Sequence, residues 1–327
     1  MMDLALEAAR SCRLVTSPNP WVGCAIDAGE SQFLGATSPP GGNHAEVNAL
    51  EAAGPRAEGA DLYTTLEPCD HQGRTGPCTE TIVAAGVARV VVAVEDPDPA
   101  VSGRGITALR EAGIEVEVGV RGAEAAELLA PYLKHRRTGL PWVVLKLAAT
   151  LDGRIAAPDA TSRWITGPEA RADVHRLRAE SDAVLVGAGT VRADDPELTV
   201  RDWHPPSGVA PRASQPRRVV LGSVPPGARV HPALEMDGPL EEVLVELGER
   251  GVIQLLVEGG AATAAAFHRA GLVDHYSVYL APALFGGDDG RPMLAGPGAS
   301  TIDDLWRGEI TEVTRLGPDI RIDLRPQ

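Results

Sequence analysis

His44-Ala45-Glu46, then Pro68-Cys69, then Cys78 after the eight residues Asp70-His71-Gln72-Gly73-Arg74-Thr75-Gly76-Pro77, is the stretch from which the chain is read. It offers an imidazole, two thiols and one carboxylate. One nitrogen and two sulfur donors suit a zinc ion that keeps a fourth position for water, whereas structural zinc sites close with four protein ligands. No fourth donor stands at suitable spacing unless His71 provides it. His44 and Glu46 would face opposite sides of a helix in its middle. They converge only if the metal lies at a helix N-terminus. Cys78 likewise opens a helix, whose exposed N–H groups favour a thiolate. Glu46 is then the group that takes a proton from the acidified water and returns it to the reacting molecule.

Around this stretch the sequence alternates. Helices are expected over 4–14, 44–53, 78–85, 106–112 and 123–136, and strands over 22–27, 33–37, 61–66, 88–94 and 114–120. The result is an α/β sandwich around one sheet. Arg136-Arg137-Thr138-Gly139-Leu140-Pro141 breaks the pattern with turn residues and divides residues 1–138 from 139–327. A second alternation follows, with strands over 142–148, 183–186, 218–221, 253–257 and 275–280 and helices over 168–179 and 263–270. No internal repeat links the two halves.

The bulk numbers bound the partners. The 327 residues suffice for two domains, and 44% hydrophobic with 23% charged residues is a globular balance. A net charge of -15 argues against nucleic acid, since a phosphate backbone is bound by Lys and Arg releasing counterions. A small-molecule substrate is favoured. Of four cysteines, Cys12 and Cys24 sit in apolar surroundings and read as buried thiols, so no disulfide framework is implied. With no signal peptide and no long apolar run, the protein is expected in the cytoplasm and off the membrane.

The His-x-Glu…Pro-Cys grouping is the signature of zinc nucleobase deaminases. Arg74 in the insert suits a phosphate by a two-pronged hydrogen bond, and His71 reads as a substrate contact. Asn19-Pro20-Trp21-Val22-Gly23, His44-Ala45-Glu46-Val47, Thr65-Leu66-Glu67-Pro68-Cys69, Gly73-Arg74-Thr75-Gly76-Pro77-Cys78 and Asp96-Pro97-Asp98-Pro99 together resemble the deaminase half of the bifunctional riboflavin-biosynthesis deaminase/reductase family. The resemblance implies a cytidine-deaminase-like three-layer sandwich. It implies zinc on His44, Cys69 and Cys78, Glu46 as the catalytic residue, and a phosphoribosylated diaminopyrimidine against Asn19, His71, Arg74 and Asp96. Trp21 stands where a smaller residue is common; it either reshapes the entrance or packs.

In the second half, Leu255 to Thr263 reads as a strand running through Glu258-Gly259-Gly260 into a helix, a ready seat for a pyrophosphate. Gly187-Ala188-Gly189-Thr190 is a second glycine turn after a strand. With Lys146 to Gly153, Ser162-Arg163-Trp164-Ile165-Thr166 and Gly189 to Pro196, these resemble the family's reductase domain, which is similar to dihydrofolate reductase. The resemblance implies NADPH touching Ala149, Trp164, Thr190, Asp194, Ser223 and the turn Gly260, Ala261, Ala262, Thr263, Ala264, Ala265, Ala266. Ser162, Arg178, Leu198, Arg201 and Glu258 fall on the substrate side, Arg178 and Arg201 as partners of the 5-phosphate. Lys146, Asp152 and Glu258 are the acid/base candidates for opening the sugar ring. Gly222 replaces an acidic residue often found before Ser223, and 224–241 is shorter than in typical members and reads without a strand. Family members are commonly oligomeric, which implies a homo-oligomer through the C-terminal domain.

Overall fold

In the computed structural model, which describes residues 1–71, 76–99 and 101–327, the chain divides into two units. The first comprises Met1–Gly139 and Pro205–Ala213, the second Leu140–His204 and Ser214–Gln327. The excursion 205–213 joins the first unit through the Ala210 N–H, which donates to the Ser11 carbonyl at 3.0 Å. Among the described residues no helix is long and apolar enough to cross a membrane.

The first unit is built on a five-stranded sheet of order β2-β1-β3-β4-β5. Its strands are β1 (Gly23–Asp27), β2 (Gln32–Ala36), β3 (Asp61–Thr64), β4 (Arg89–Val92) and β5 (Glu115–Val118). The β1 pairings with β2 and β3 are antiparallel; β3, β4 and β5 run parallel. Helices α1 (Met2–Cys12) and α5 (Gly122–Leu128) share a core with Ala25 and Val91 on one face. On the other face α2 (Ala45–Ala53) lies so close to β2 that a Cβ on Gly35 would sit 2.2 Å from the Ala45 carbonyl oxygen. That close approach fixes the start of α2. Helices α3 (Cys78–Ala84) and α4 (Arg104–Glu111) complete that layer. The single helix expected over 123–136 is two: Pro131, lacking an N–H, falls in the first turn of a separate α6 (Ala130–Thr138), which Gly139 ends in the left-handed conformation.

The second unit holds an eight-stranded sheet of order β10-β9-β8-β11-β6-β12-β15-β14. Strands β6 (Trp142–Thr150), β8 (Ala183–Gly187), β9 (Arg217–Leu221), β10 (Leu234–Met236), β11 (Gln254–Val257) and β12 (His275–Ala281) form its parallel part. Both faces are covered: Leu145, Leu185, Leu255 and Phe267 fill one core, Val144, Val184, Leu256 and Tyr279 the other. Burial on both faces is why these strands read as unbroken apolar runs. Helices α7 (Pro168–Glu180), α8 (Ala188–Asp194), α9 (Leu240–Glu249) and α10 (Ala261–Arg269) flank them, and a small β7–β13 pair (Arg154–Ala156 with Arg291–Pro292) stands apart. The 224–241 stretch does contain a strand: β10 closes the sheet edge, with the Gly222 N–H on the Met236 carbonyl at 2.9 Å.

The hairpin β14 (Gly308–Leu316) and β15 (Asp319–Pro326) escaped the sequence reading because its pattern is inverted. Asp319, Arg321 and Asp323 point inward and are buried, while Ile320 is exposed. A charge network explains this. Asp173 on α7 accepts from Tyr279 Oη at 2.6 Å, Arg321 Nη1 at 2.8 Å and Arg176 Nε at 2.6 Å. Burial raises the Asp173 carboxyl, but the Arg176 and Arg321 guanidiniums and the Tyr279 hydroxyl outweigh it and hold it at about 2. Asp173→Asn should therefore cost about 3 kcal/mol at neutral pH, the scale of a broken buried pair. A depressed carboxyl stabilises above its unfolded value, ordinarily 3.8, and loses that contribution as pH falls toward 2. Denaturant titrations should show wild type and variant converging across that window; a gap that stays constant contradicts the assignment.

Candidate functional site

His44 is the residue that caps α2, with extended backbone (φ -75°, ψ 166°), and Glu46 occupies the first turn. The helix N-terminus is thus where both side chains turn to the same side. Cys78 opens α3, its backbone N–H 3.5 Å from the Cys69 sulfur. The Thr79 hydroxyl donates to Asp70 at 2.6 Å, tying the residue after Cys69 to the start of α3. His44 Nδ1 lies 3.2 Å from Cys78 Sγ and 3.5 Å from Cys69 Sγ. One donor atom from each of His44, Cys69 and Cys78 falls within 4.8 Å of the others. Among the described residues neither Glu46 nor His71 joins that group.

Glu46 sits beside the three donors, its Oε2 3.6 Å from Cys78 Sγ. Burial pushes its carboxyl up to about 7. Hydrogen bonding with Cys78 holds the Cys69 thiol down at about 4 and, reciprocally, pushes the Cys78 thiol up. Hydrogen bonding to Cys69 raises the His44 imidazole. One nitrogen and two sulfurs converging, with no fourth donor among the described residues, is a set that fits zinc with a position left for water.

A cavity of about 390 Å³ opens over this group, lined by Asn19, His44, Glu46, Cys69, His71 and Asp96 among others. That volume suits one small ligand. Arg74 lies outside the described residues. Asp96 is buried; its Oδ1 accepts the Asp98 N–H at 2.9 Å and its Oδ2 the Tyr132 hydroxyl at 3.0 Å. Glu67, quoted in the sequence motif without a role, proves to be a staple. Its buried carboxylate accepts backbone N–H groups of Asp96, Gly103, Gly105 and Ile106 at 3.2, 3.0, 2.9 and 3.3 Å. It thereby ties the loop carrying Asp96 and the start of α4 to the segment carrying Cys69. Tyr132, Arg136 and Asp98 also line the cavity, although the sequence reading gives none of them a site role; the four-residue spacing of Tyr132 and Arg136 is the available signal. Trp21 packs: it is buried, donates Nε1–H to the Leu128 carbonyl at 3.0 Å and stays out of the cavity wall.

In the second unit the two glycine turns come together because β8 and β11 are adjacent and parallel. A Cβ on Gly187 would lie 2.6 Å from Thr263 Oγ1, and one on Gly259 2.4 Å from Thr263 Cβ. The Gly260 N–H donates to Thr190 Oγ1 at 3.1 Å. A crevice at the carboxyl ends of neighbouring parallel strands, with a helix start in it, is the common seat of a dinucleotide in open α/β sheets. Ala149, Ala264 and Ala265 are buried, Ser223 and Trp164 exposed. Arg163 and Arg171 flank the Trp164 ring, and Arg163 also donates to the Asp194 carbonyl at 2.6 Å.

The residues expected on the substrate side are more committed than their types suggested. Arg178 forks onto Glu258, Nε to Oε1 at 2.6 Å and Nη2 to Oε2 at 2.9 Å, and gives Nη1 to the Thr199 carbonyl at 3.0 Å. Three of its five donors are thus taken before any phosphate arrives. Arg201 pairs with Glu197 at 2.8 Å and remains half exposed. Burial raises the Glu258 carboxyl, yet Arg178 outweighs this and holds it below the usual range. Burial pushes the Lys146 ammonium down against the pull of Glu258. Leu198 is buried and Ser162 half-buried. Asp152 makes a turn: it accepts the Thr150 hydroxyl at 2.5 Å and the Gly286 N–H at 2.9 Å.

Residues 1–94 match the cytidine and deoxycytidylate deaminase zinc-binding region, and residues 141–322 the RibD C-terminal domain. The chain is 40% identical to the riboflavin biosynthesis protein RibD of Bacillus amyloliquefaciens, an alignment covering 100% of this chain and 95% of that protein. The solved structure of Acinetobacter baumannii RibD superposes with a TM-score of 0.92 at 39% identity, covering 100% of this chain and 98% of that one. The Thermotoga maritima diaminohydroxyphosphoribosylaminopyrimidine deaminase/5-amino-6-(5-phosphoribosylamino)uracil reductase does so with 0.86 at 33%, covering 100% and 97%. The N-terminal unit has the cytidine-deaminase-like fold and the C-terminal unit the dihydrofolate-reductase-like one.

The donor geometry makes a prediction about metal. Cys69→Ala and Cys78→Ala should each leave the purified chain with sub-stoichiometric zinc in elemental analysis, while Glu46→Gln keeps the full complement. Loss of zinc from Glu46→Gln would make the carboxylate a ligand and contradict the arrangement.

Proposed function

The chain belongs to the RibD family of bifunctional riboflavin-biosynthesis proteins, and from that premise we propose how its own residues divide the two reactions. It is a zinc-dependent deaminase and an NADPH-dependent reductase. One activity hydrolytically deaminates 2,5-diamino-6-ribosylamino-4(3H)-pyrimidinone 5′-phosphate; the other reduces the ribosyl side chain of the product to ribityl. We assign residues 1–138 to the first and 139–327 to the second.

For deamination, His44, Cys69 and Cys78 would hold the zinc. The observation that carries this assignment is their convergence in one cavity with Glu46 beside them and outside the donor group. Bound zinc supplies the Lewis acidity that makes water a nucleophile near neutral pH. Glu46 takes the proton from that water and delivers it to the ring nitrogen, then to the departing amine. A carboxyl brought to about 7 by burial is suited to both halves of that task. Asn19, His71 and Asp96 orient the heterocycle, Asp96 through a carboxylate already fixed by Tyr132 and Asp98.

For reduction, NADPH supplies the hydride, and the residues around the Gly187 and Gly259 turns hold the cofactor. The Arg178–Glu258 pair with Lys146 borders the sugar, and the depressed ammonium of Lys146 makes it the better proton donor. Asp152, spent on its turn, is set aside. Arg178 acts on the phosphate only through the donors that Glu258 and Thr199 leave over, so Arg201 carries more of that contact.

The free thiols Cys12 and Cys24, both buried, suit a cytoplasmic protein. Self-association through the C-terminal unit is favoured by β14, the terminal strand of its sheet, which exposes Ile310 and Val313. Sedimentation should find an oligomer that Val313→Glu converts to monomer; a monomeric wild type refutes this.

Glu46→Gln tests the deaminase assignment. Ammonia release from the phosphorylated diaminopyrimidine should fall by about 10²–10⁴-fold, while NADPH oxidation with the deaminated substrate is unchanged. A variant that deaminates at the wild-type rate removes Glu46 from the chemistry.

A further inference from the structure

The last helix of the first unit, α6, carries a stretch that the sequence offers only as a break. Tyr132 and Arg136 stand four residues apart on it, hence on one face, and both line the cavity that holds His44, Glu46 and Cys69. The acidic side chains of that wall are Glu46, Glu67, Asp96 and Asp98. Apart from the two histidines, Arg136 is the sole basic side chain among the described lining residues.

Its setting is that of a cation held by one long ion pair, to Asp98. The guanidinium lies over the Tyr132 ring, 5.1 Å from the centroid, a contact that helps to fix its place. The ring is anchored in turn by the Tyr132 hydroxyl on Asp96 Oδ2. Arg136 Nε is buried and makes no hydrogen bond, and Asp98 Oδ2 stands 3.8 Å away, beyond hydrogen-bond length. A buried donor left without a partner costs about 1–3 kcal/mol, so such groups call for a reason. A planar guanidinium is also the side chain best matched to two oxygens of a phosphate.

The deaminase substrate brings a phosphate into a wall rich in carboxylates, on a chain of net charge -15. Without a compensating cation that approach is repulsive. We propose that Arg136 receives the phosphate of the deaminase substrate and so selects phosphorylated over dephosphorylated diaminopyrimidine. The proposal rests on the deaminase reading above and holds whatever Arg74 contributes.

The test is steady-state deamination by the zinc-loaded full chain, with both the phosphorylated and the dephosphorylated diaminopyrimidine. Wild type is compared with Arg136→Met and Arg136→Lys, and zinc content and thermal midpoint verify that each variant is folded. Arg136→Met should raise KM for the phosphorylated substrate about tenfold or more, the loss of a charged hydrogen bond, with kcat little changed. Its kcat/KM on the dephosphorylated compound should equal that of wild type. Arg136→Lys should recover part of the KM and show a steeper dependence on salt. Equal losses on both substrates would mean a structural role, and no loss on either would mean no contact; both overturn the proposal alone. A wild-type chain that deaminates neither compound overturns the deaminase reading and this proposal with it.

Discussion

Two helix starts and one loop must bring an imidazole and two sulfurs to a single point, and the first unit is organised around that demand. His44 reaches it because α2 begins there, and α2 begins there because Gly35 lets it press against β2. Cys78 reaches it from the first residue of α3. Cys69 lies on the segment after β3 that Glu67 binds to four backbone N–H groups of the Asp96 loop and α4. One buried carboxylate therefore couples the segment of Cys69, one of the three donors, to the cavity wall that carries Asp96. Glu46 sits in the first turn of α2, 3.6 Å from Cys78 Sγ and apart from the donor group.

The second unit solves a different problem with parallel strands. Adjacency of β8 and β11 places two glycine turns, about seventy residues apart in sequence, around one threonine side chain, Thr263. Neither turn means much alone; the sheet order brings them to one place. The forked Arg178–Glu258 pair keeps a carboxylate charged in a buried place where burial by itself would favour the neutral acid. Lys146 shares that environment, and the three groups set one another's protonation.

Legibility followed the physics of each element. The buried parallel strands were plain in the sequence because both faces are apolar, as in Val143, Val144 and Leu145 or Leu255, Leu256 and Val257. His44, Glu46, Cys69 and Cys78 were plain because few chemistries need those types at that spacing. β15 was opaque because its inward residues are Asp319, Arg321 and Asp323, whose burial makes sense only beside Asp173 and His275 on other elements. Glu67, Tyr132 and Arg136 were opaque for the same reason: each acts through a partner distant in sequence. Arg178 reads in the sequence as a partner of a phosphate, but its partner Glu258, eighty residues away, appears only in the fold.

His44, Cys69 and Cys78 would hold zinc by one nitrogen and two sulfurs, with the Glu46 carboxylate beside them and outside the set. Zinc-edge X-ray absorption of the purified full chain addresses this directly. The account predicts two sulfur scatterers near ~2.3 Å and a nitrogen and an oxygen near ~2.0–2.1 Å. A shell of four protein nitrogen and sulfur donors, with no oxygen, would contradict it.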